Sequence, residues 1–199
     1  VAVESFPMGA HIGQVAAEYL VREYSPTAGL FVERGGPNVE GPFHGVRGDC
    51  PEPGQGAHVY QLAAVARSRG ILSIGIGDGG NEVGFGAVRD EISAVHPLKA
   101  KCLRGCASGV VTIAATDVVV SASVSNWGAY AVAAALASAL GKPELLHSPE
   151  LEHALIEATV KAGARDGATS LAECAVDGID WQGHASFVGL LNSIVTVSR

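Results

Sequence analysis

Three short segments concentrate the residue types that do chemistry: Glu33-Arg34-Gly35-Gly36-Pro37-Asn38, Gly75-Ile76-Gly77-Asp78-Gly79-Gly80-Asn81-Glu82-Val83-Gly84-Phe85-Gly86, and Ser123-Val124-Ser125-Asn126-Trp127-Gly128. The glycines of the second segment let the backbone turn with positive φ and let a ligand approach closely. A phosphate cradle is the first reading of such a run. Yet it is neither G-x-G-x-x-G opening a helix nor G-x-x-x-x-G-K-[ST]. It lacks the lysine, and Asp78 and Glu82 stand where phosphate oxygens would sit. Two acids there favour a divalent cation or the ammonium of a substrate, and hard oxygen ligands suit Mg²⁺ or Mn²⁺. The bland alternative is a tight turn in which Asp78 and Asn81 cap backbone amides.

The other two segments also read in two ways. Glu33 and Arg34 form an internal salt bridge at a strand end, or Glu33 joins a metal or amine site while Arg34 clamps a carboxylate with its guanidinium fork. Arg47 is a second clamp or a solvated loop charge. His44, between Phe43 and Gly45, is a general acid or base near neutral pH, or a hydrogen-bonded loop histidine. Ser125 and Asn126 precede a helix and read first as cap residues, although the same helix start suits a substrate carboxylate. Asp117, Asp166-Gly167 and Asp177-Gly178 read first as turn residues.

These residues need a scaffold, and apolar spacing supplies one. Helical periodicity runs over residues 12–23, stopped by Pro26, and again over 58–69, closed by Gly70. Short helices or strands follow: a strand at 30–32, a strand at 71–76, a helix at 89–95, and β-branched strands at 110–114 and 118–122. Helices are expected at 126–140, at 149–162 with Pro149 in the first turn, and at 187–197. Asp177-Gly178 between apolar flanks signals a β-hairpin. A long Gly- and Pro-rich loop over 35–56 points to function, because idle loops of that length are uncommon in compact domains. Strands alternating with helices predict an α/β fold. The sheet is expected to be mostly parallel with helices on both faces, with one small β-hairpin near the C-terminus. In such sheets ligands collect at the carboxyl ends of the strands, where all three segments fall.

Composition narrows the partners. The length of 199 residues predicts a single α/β domain over 1–199. The chain starts without methionine, which reads as a fragment lacking an N-terminal part. Only 17% of residues are charged, and the low value leans towards a large core or a homo-oligomer interface. A net charge of -7 argues against nucleic acid, whose phosphates would repel it. The apolar run over 129–140 is too short to span a bilayer, so no membrane partner is expected. The cysteines form no CxxC pair, which suggests a reducing compartment. Cys102 and Cys106, with His96 nearby, could hold a metal, but no fourth ligand is evident and the spacing is not a common zinc spacing, so ordinary loop thiols are the default.

Four stretches resemble the D-glutamate cyclase family: FVERGGPNVEGPFHGVR over 31–47, IGIGDGGNEVGFG over 74–86, TDVVVSASVSNWGAY over 116–130, and DGATSLAECAVDGIDWQGH over 166–184. They occur in the family's order, and IGIGDGGNE and VSNWGAY are long and specific. One departure is Gly45, where the family pattern often carries Asn. The resemblance implies a lyase that converts D-glutamate, a small amino-acid substrate, into 5-oxo-D-proline and water. It also implies a cytoplasmic location in a bacterium or the mitochondrial matrix in a vertebrate-type member. In this reading Glu33, Asp78 and Glu82 hold a divalent cation, and no organic cofactor is needed. One of those acids, or His44, carries protons. Arg34, Arg47, Asn81 and the helix start at Ser125 and Asn126 bind the substrate. Two competing readings remain: a metal-dependent hydrolase acting on a small carboxylate or phosphate, and a non-catalytic amino-acid or metal-binding module.

Overall fold

The computed structural model describes residues 2–52, 56–95, 102 and 105–197. His96 lies outside the described residues, as does much of the irregular stretch around it. The chain divides into two compact units, Val1–Ser125 and Asn126–Arg199.

The first unit carries a parallel sheet in the order β1 (Ala28–Val32), β2 (Leu72–Gly77), β3 (Val118–Ser121). Phe31 pairs with Gly75, and Gly75 in turn with Val119. Helices α1 (Ala10–Tyr24) and α2 (Tyr60–Ser68) pack on each other, and α2 also lies on β1 and β2. Ala17 and Val21 on α1 meet Val65 on α2, the i, i+4 spacing that puts side chains on one face. Phe31, Ala63, Val83 and Ala114 form a second buried cluster. It ties β1 and α2 to the Gly-rich turn that follows β2.

The second unit starts within α4 (Ser125–Leu140) and continues with α5 (Pro149–Lys161), the hairpin β4 (Ala175–Val176) and β5 (Ile179–Asp180), and α6 (Trp181–Val197). Its core joins Ala134 and Ala137 to Leu146 and Val195. Ser148 caps α5 by accepting from the Leu151 amide at 3.2 Å, and Pro149 holds the first turn. The protein is therefore α/β, with a parallel sheet and a small antiparallel hairpin near the C-terminus.

Two elements differ from expectation. Residues 110–114 form no strand, although Val110, Val111 and Thr112 are buried. Their backbone serves turns and loops one bond at a time: Thr112 N–H donates to Gly80 O, and Ile113 N–H donates to Pro37 O. Such scattered pairing fixes loops but builds no ladder. Helix α6 starts at Trp181 rather than 187. Asp180 Oδ1 accepts the Gly183 amide at 2.9 Å, so a side-chain cap starts the helix ahead of its apolar stretch.

Candidate active site

The turn after β2 is anchored to the segment after β1. Val83 N–H donates to Arg34 O, and Gly36 N–H donates to Asn81 O. Gly35 and Glu82 thus form an isolated antiparallel bridge. The close approach needs glycine at 75, because a Cβ there would stand 2.2 Å from Val83 O. Gly79 answers a second demand: its Cβ would come within 3.1 Å of Glu82 Oε1 and 2.8 Å of Val46.

This bracing brings Glu33, Asp78 and Glu82 together, with one carboxylate oxygen from each within 4.8 Å of the others. Glu33 and Asp78 are exposed, while Glu82 is buried at 2% exposure. Glu33 sits at φ 52, a left-handed conformation that a non-glycine residue adopts only when its surroundings enforce it. Its N–H donates to Ile76 O at 3.0 Å, so the sheet holds the residue in place as the chain leaves β1.

Ser125, the first residue of α4, is shared among the acids. Its amide donates to Asp78 Oδ2 at 3.1 Å, its hydroxyl lies 3.1 Å from the same oxygen, and that hydroxyl also donates to Glu33 Oε2. Asp78 therefore bonds to a helix start. Glu82 does the turn capping, its Oε1 accepting from Gly79 N–H at 3.1 Å. Glu82 Oε2 is buried without a hydrogen-bond partner, and so is Asn81 Oδ1. Burial, and to a smaller extent the charge of Asp78, pushes the Glu82 carboxyl above the usual range, opposed by backbone N–H groups at the turn.

The remaining predicted residues have other partners. Arg34 Nε donates to Val32 O at 3.1 Å. Arg34 also lines a cavity of about 330 Å³ with Phe43, His44 and Asp49. Asn81 Nδ2 donates to His44 O at 2.9 Å, which docks the long loop onto the turn. His44 itself is 4% exposed, and its Nε2 lies 3.3 Å from Cys106 Sγ. Arg47 is exposed on the same loop. Asn126 opens the second unit and donates to Tyr130 Oη at 3.5 Å. Asp117 accepts from Ser73 and Arg67, and Asp166 accepts the amides of Ala168, Thr169 and Gly178. Both are turn residues, as their types suggested.

Sequence reading passed over a buried polar network in the second unit. Tyr130 Oη donates to Glu152 Oε1 at 2.9 Å, and His147 Nε2 lies 2.9 Å from Glu152 Oε2. Trp127 Nε1–H donates to His184 Nδ1, and His184 Nε2 meets Val176 O at 3.2 Å. An indole can only donate, so His184 Nδ1 is the acceptor and the proton sits on Nε2. The 3.9 Å approach of His184 Nδ1 to Glu152 is then no ion pair. His184 has no exposure at all and serves packing. Burial, together with Glu152, pushes the Tyr130 hydroxyl up to about 12 against an opposing bond from Asn126.

The family model described as "D-glutamate cyclase-like, C-terminal" matches residues 5–192. The human protein named "D-glutamate cyclase, mitochondrial" is 40% identical over 75 residues. That match spans 37% of this chain and 11% of the human protein. Among the described residues no helix is long and apolar enough to cross a membrane.

Proposed function

The chain belongs to the D-glutamate cyclase-like, C-terminal family, and from that premise we propose that it converts D-glutamate into 5-oxo-D-proline and water at Glu33, Asp78 and Glu82. The observation that carries this reading is the convergence of the three carboxylates, together with a buried Glu82 oxygen, Oε2, that has no hydrogen-bond partner. Such a centre attracts a cation and repels a phosphate. An amino-acid ammonium is one cation that fits it, and Asn81 Oδ1 offers a second unpartnered acceptor beside it.

The reaction forms a bond between the α-nitrogen and the side-chain carboxyl carbon, Cδ, and breaks one of the two carbon–oxygen bonds of that carboxyl group. Two of the three ammonium protons leave with that oxygen as water. Some group must therefore take a proton from nitrogen and return it to oxygen. Glu82 suits this role, since its raised pKa makes both proton states accessible closer to neutral pH. Arg34 and Arg47 are the groups for the α-carboxylate, a guanidinium fork matching a planar anion. The ring closure is already intramolecular, so holding both ends of the substrate folded spares the freezing of a few rotors, about 0.5–1.5 kcal/mol for a rotor-rich chain.

The donor set also fits Mg²⁺ or Mn²⁺, because it consists of carboxylate oxygens. Glu33, Asp78 and Glu82 would hold the ion, which when bound supplies charge neutralisation for the γ-carboxylate. Ser125 keeps Glu33 and Asp78 in place in either case.

The test is direct. The purified chain is incubated with D- or L-glutamate, with Mg²⁺, Mn²⁺ or chelator, and 5-oxoproline is measured by chiral chromatography and mass spectrometry. Product from D-glutamate, lost in Asp78→Asn, supports the reading. No product from a folded, cation-loaded protein with either enantiomer overturns it in favour of a binding module.

A further inference from the structure

A second cluster stands beside the carboxylates and differs in chemistry. The ligand atoms of His44, Cys50 and Cys102 lie within 4.8 Å of one another. Cys106 adds a fourth: its sulfur is 3.3 Å from His44 Nε2, and the Cys102 thiol is its neighbour. These residues come from two stretches far apart in sequence. None of the four cysteines of the chain is in a disulfide.

We propose that His44, Cys50, Cys102 and Cys106 form a closed Zn²⁺ site that clasps the long loop to the segment around Cys106. The ligand types are those of structural zinc, and Cys102-x₃-Cys106, although not the commonest pair, falls within the range of ligand spacings. Tetrahedral bonds of about 2.3 Å to sulfur and 2.0 Å to nitrogen place a nitrogen and a sulfur roughly 3.5 Å apart, and two sulfurs roughly 3.8 Å apart. The observed separations need only side-chain adjustment to reach these values. Thiolates are soft ligands, which separates this site from the hard oxygen cluster.

Two further observations point to a ligand here. His44 is 96% buried by its 4% exposure, yet its Nδ1 has no hydrogen-bond partner. Nε2 is the nitrogen that faces the Cys106 sulfur and is the one placed to bind metal, while Nδ1 stays a buried ring nitrogen without a protein partner. The sulfur of Cys106 accepts from Asn38 Nδ2 at 3.3 Å, and Asn38, itself fully buried, also donates to Gly109 O at 2.8 Å. Amide donors aimed at a sulfur are the outer-layer support that metal-bound thiolates receive. The consequence reaches the carboxylates, because Asn81 is docked on the main-chain oxygen of His44.

The full chain, purified under reducing conditions without a histidine tag, is assayed for zinc by mass spectrometry. It is then stripped and titrated with Co²⁺. The expected result is one zinc per chain and a cobalt spectrum with tetrahedral visible bands and a near-ultraviolet thiolate-to-metal band. Cys50→Ser, Cys102→Ser and Cys106→Ser should each lose tightly held zinc and weaken that band, while Cys174→Ser keeps both. A cobalt spectrum of the parent protein without the thiolate band overturns the proposal, whether or not the variants fold. So does zinc content unchanged in all three folded variants. Mg²⁺ and Mn²⁺ serve as controls and should leave the cobalt band in place, so the outcome is independent of turnover of D-glutamate.

Discussion

Ser125 meets Asp78 twice, through its backbone amide and through its hydroxyl, both 3.1 Å from the same carboxylate oxygen. The hydroxyl also bonds Glu33. One hydroxyl carries one proton and cannot donate to both acids at once. With its proton directed to Glu33, the Ser125 oxygen faces an Asp78 oxygen across 3.1 Å, and Glu82 adds a third acid nearby. Such an arrangement concentrates negative charge around one hydroxyl. It is relieved by a proton or by a cation, which is why the cluster reads as a site and not as a turn.

Replacing Ser125 by Ala removes the hydroxyl and leaves the amide bond to Asp78 intact. The helix start should survive, while Glu33 loses its hydrogen bond to the Ser125 hydroxyl. Divalent cation affinity should fall roughly 10–100-fold, the usual scale for groups that orient ligands. Calorimetric titration of Mn²⁺ into both proteins checks this, and unchanged affinity would remove Ser125 from the site.

Glu82 should set the acidic limb of the activity profile. Burial raises its carboxyl above 4.5, so the proton-accepting form appears only at higher pH than an ordinary glutamate. kcat/KM for D-glutamate should rise with pH through that raised value, and Glu82→Gln should lose turnover. Stability runs the other way. A raised acid pKa means the folded state binds more protons, so this group's contribution is fully present below the unfolded pKa and declines as pH rises through the folded one. A profile whose acidic limb sits at an ordinary carboxylate pKa would assign the proton to another group.

Glu33 holds a left-handed backbone that glycine adopts without strain. Glu33→Gly should therefore be as stable as the parent or up to about 1 kcal/mol more stable, the gain limited by glycine's greater freedom when unfolded. Turnover should vanish with the carboxylate. Urea unfolding and the product assay together check the trade-off. A loss of more than about 1 kcal/mol would show that the side chain holds the fold.

Much of this arrangement was legible in the sequence because it rests on residue type. The acids in IGIGDGGNE flagged Asp78 and Glu82, and strand patterning placed Glu33 at the end of β1. The bond from Ser125 to Asp78 was not legible, since nothing in either segment says which of two possible partners a serine takes. Residues 110–114 misled because β-branched composition signals a buried extended chain, and only long-range pairing decides whether that chain joins a ladder. The buried links among Glu152, Tyr130 and His147 escaped for a related reason. Their acid sits in the first turn of α5, where a solvated charge is the ordinary expectation. His44 was placed by type near acid–base chemistry, and its proximity to Cys50, Cys102 and Cys106 appears only once the loop is folded.

Asp166 gives the second unit its own acid sensitivity. Its carboxylate accepts from the amides of Ala168, Thr169 and Gly178 at 3.0, 2.7 and 2.9 Å, pinning the loop after α5 to the β4–β5 turn. The Gly178 amide, above all, holds its pKa below 3.8 against the opposing effect of burial. A depressed acid pKa contributes stability that is fully present above the unfolded value and is lost as pH falls through the folded one. The window is therefore the region from about pH 4 downward. Asp166→Ala leaves several amides without an acceptor and should cost about 1–3 kcal/mol at neutral pH. It should also flatten the stability loss of the parent below that window. Thermal melts of both proteins from neutral to acid pH check the pair of effects. Parallel curves would mean that another carboxylate carries the acid response.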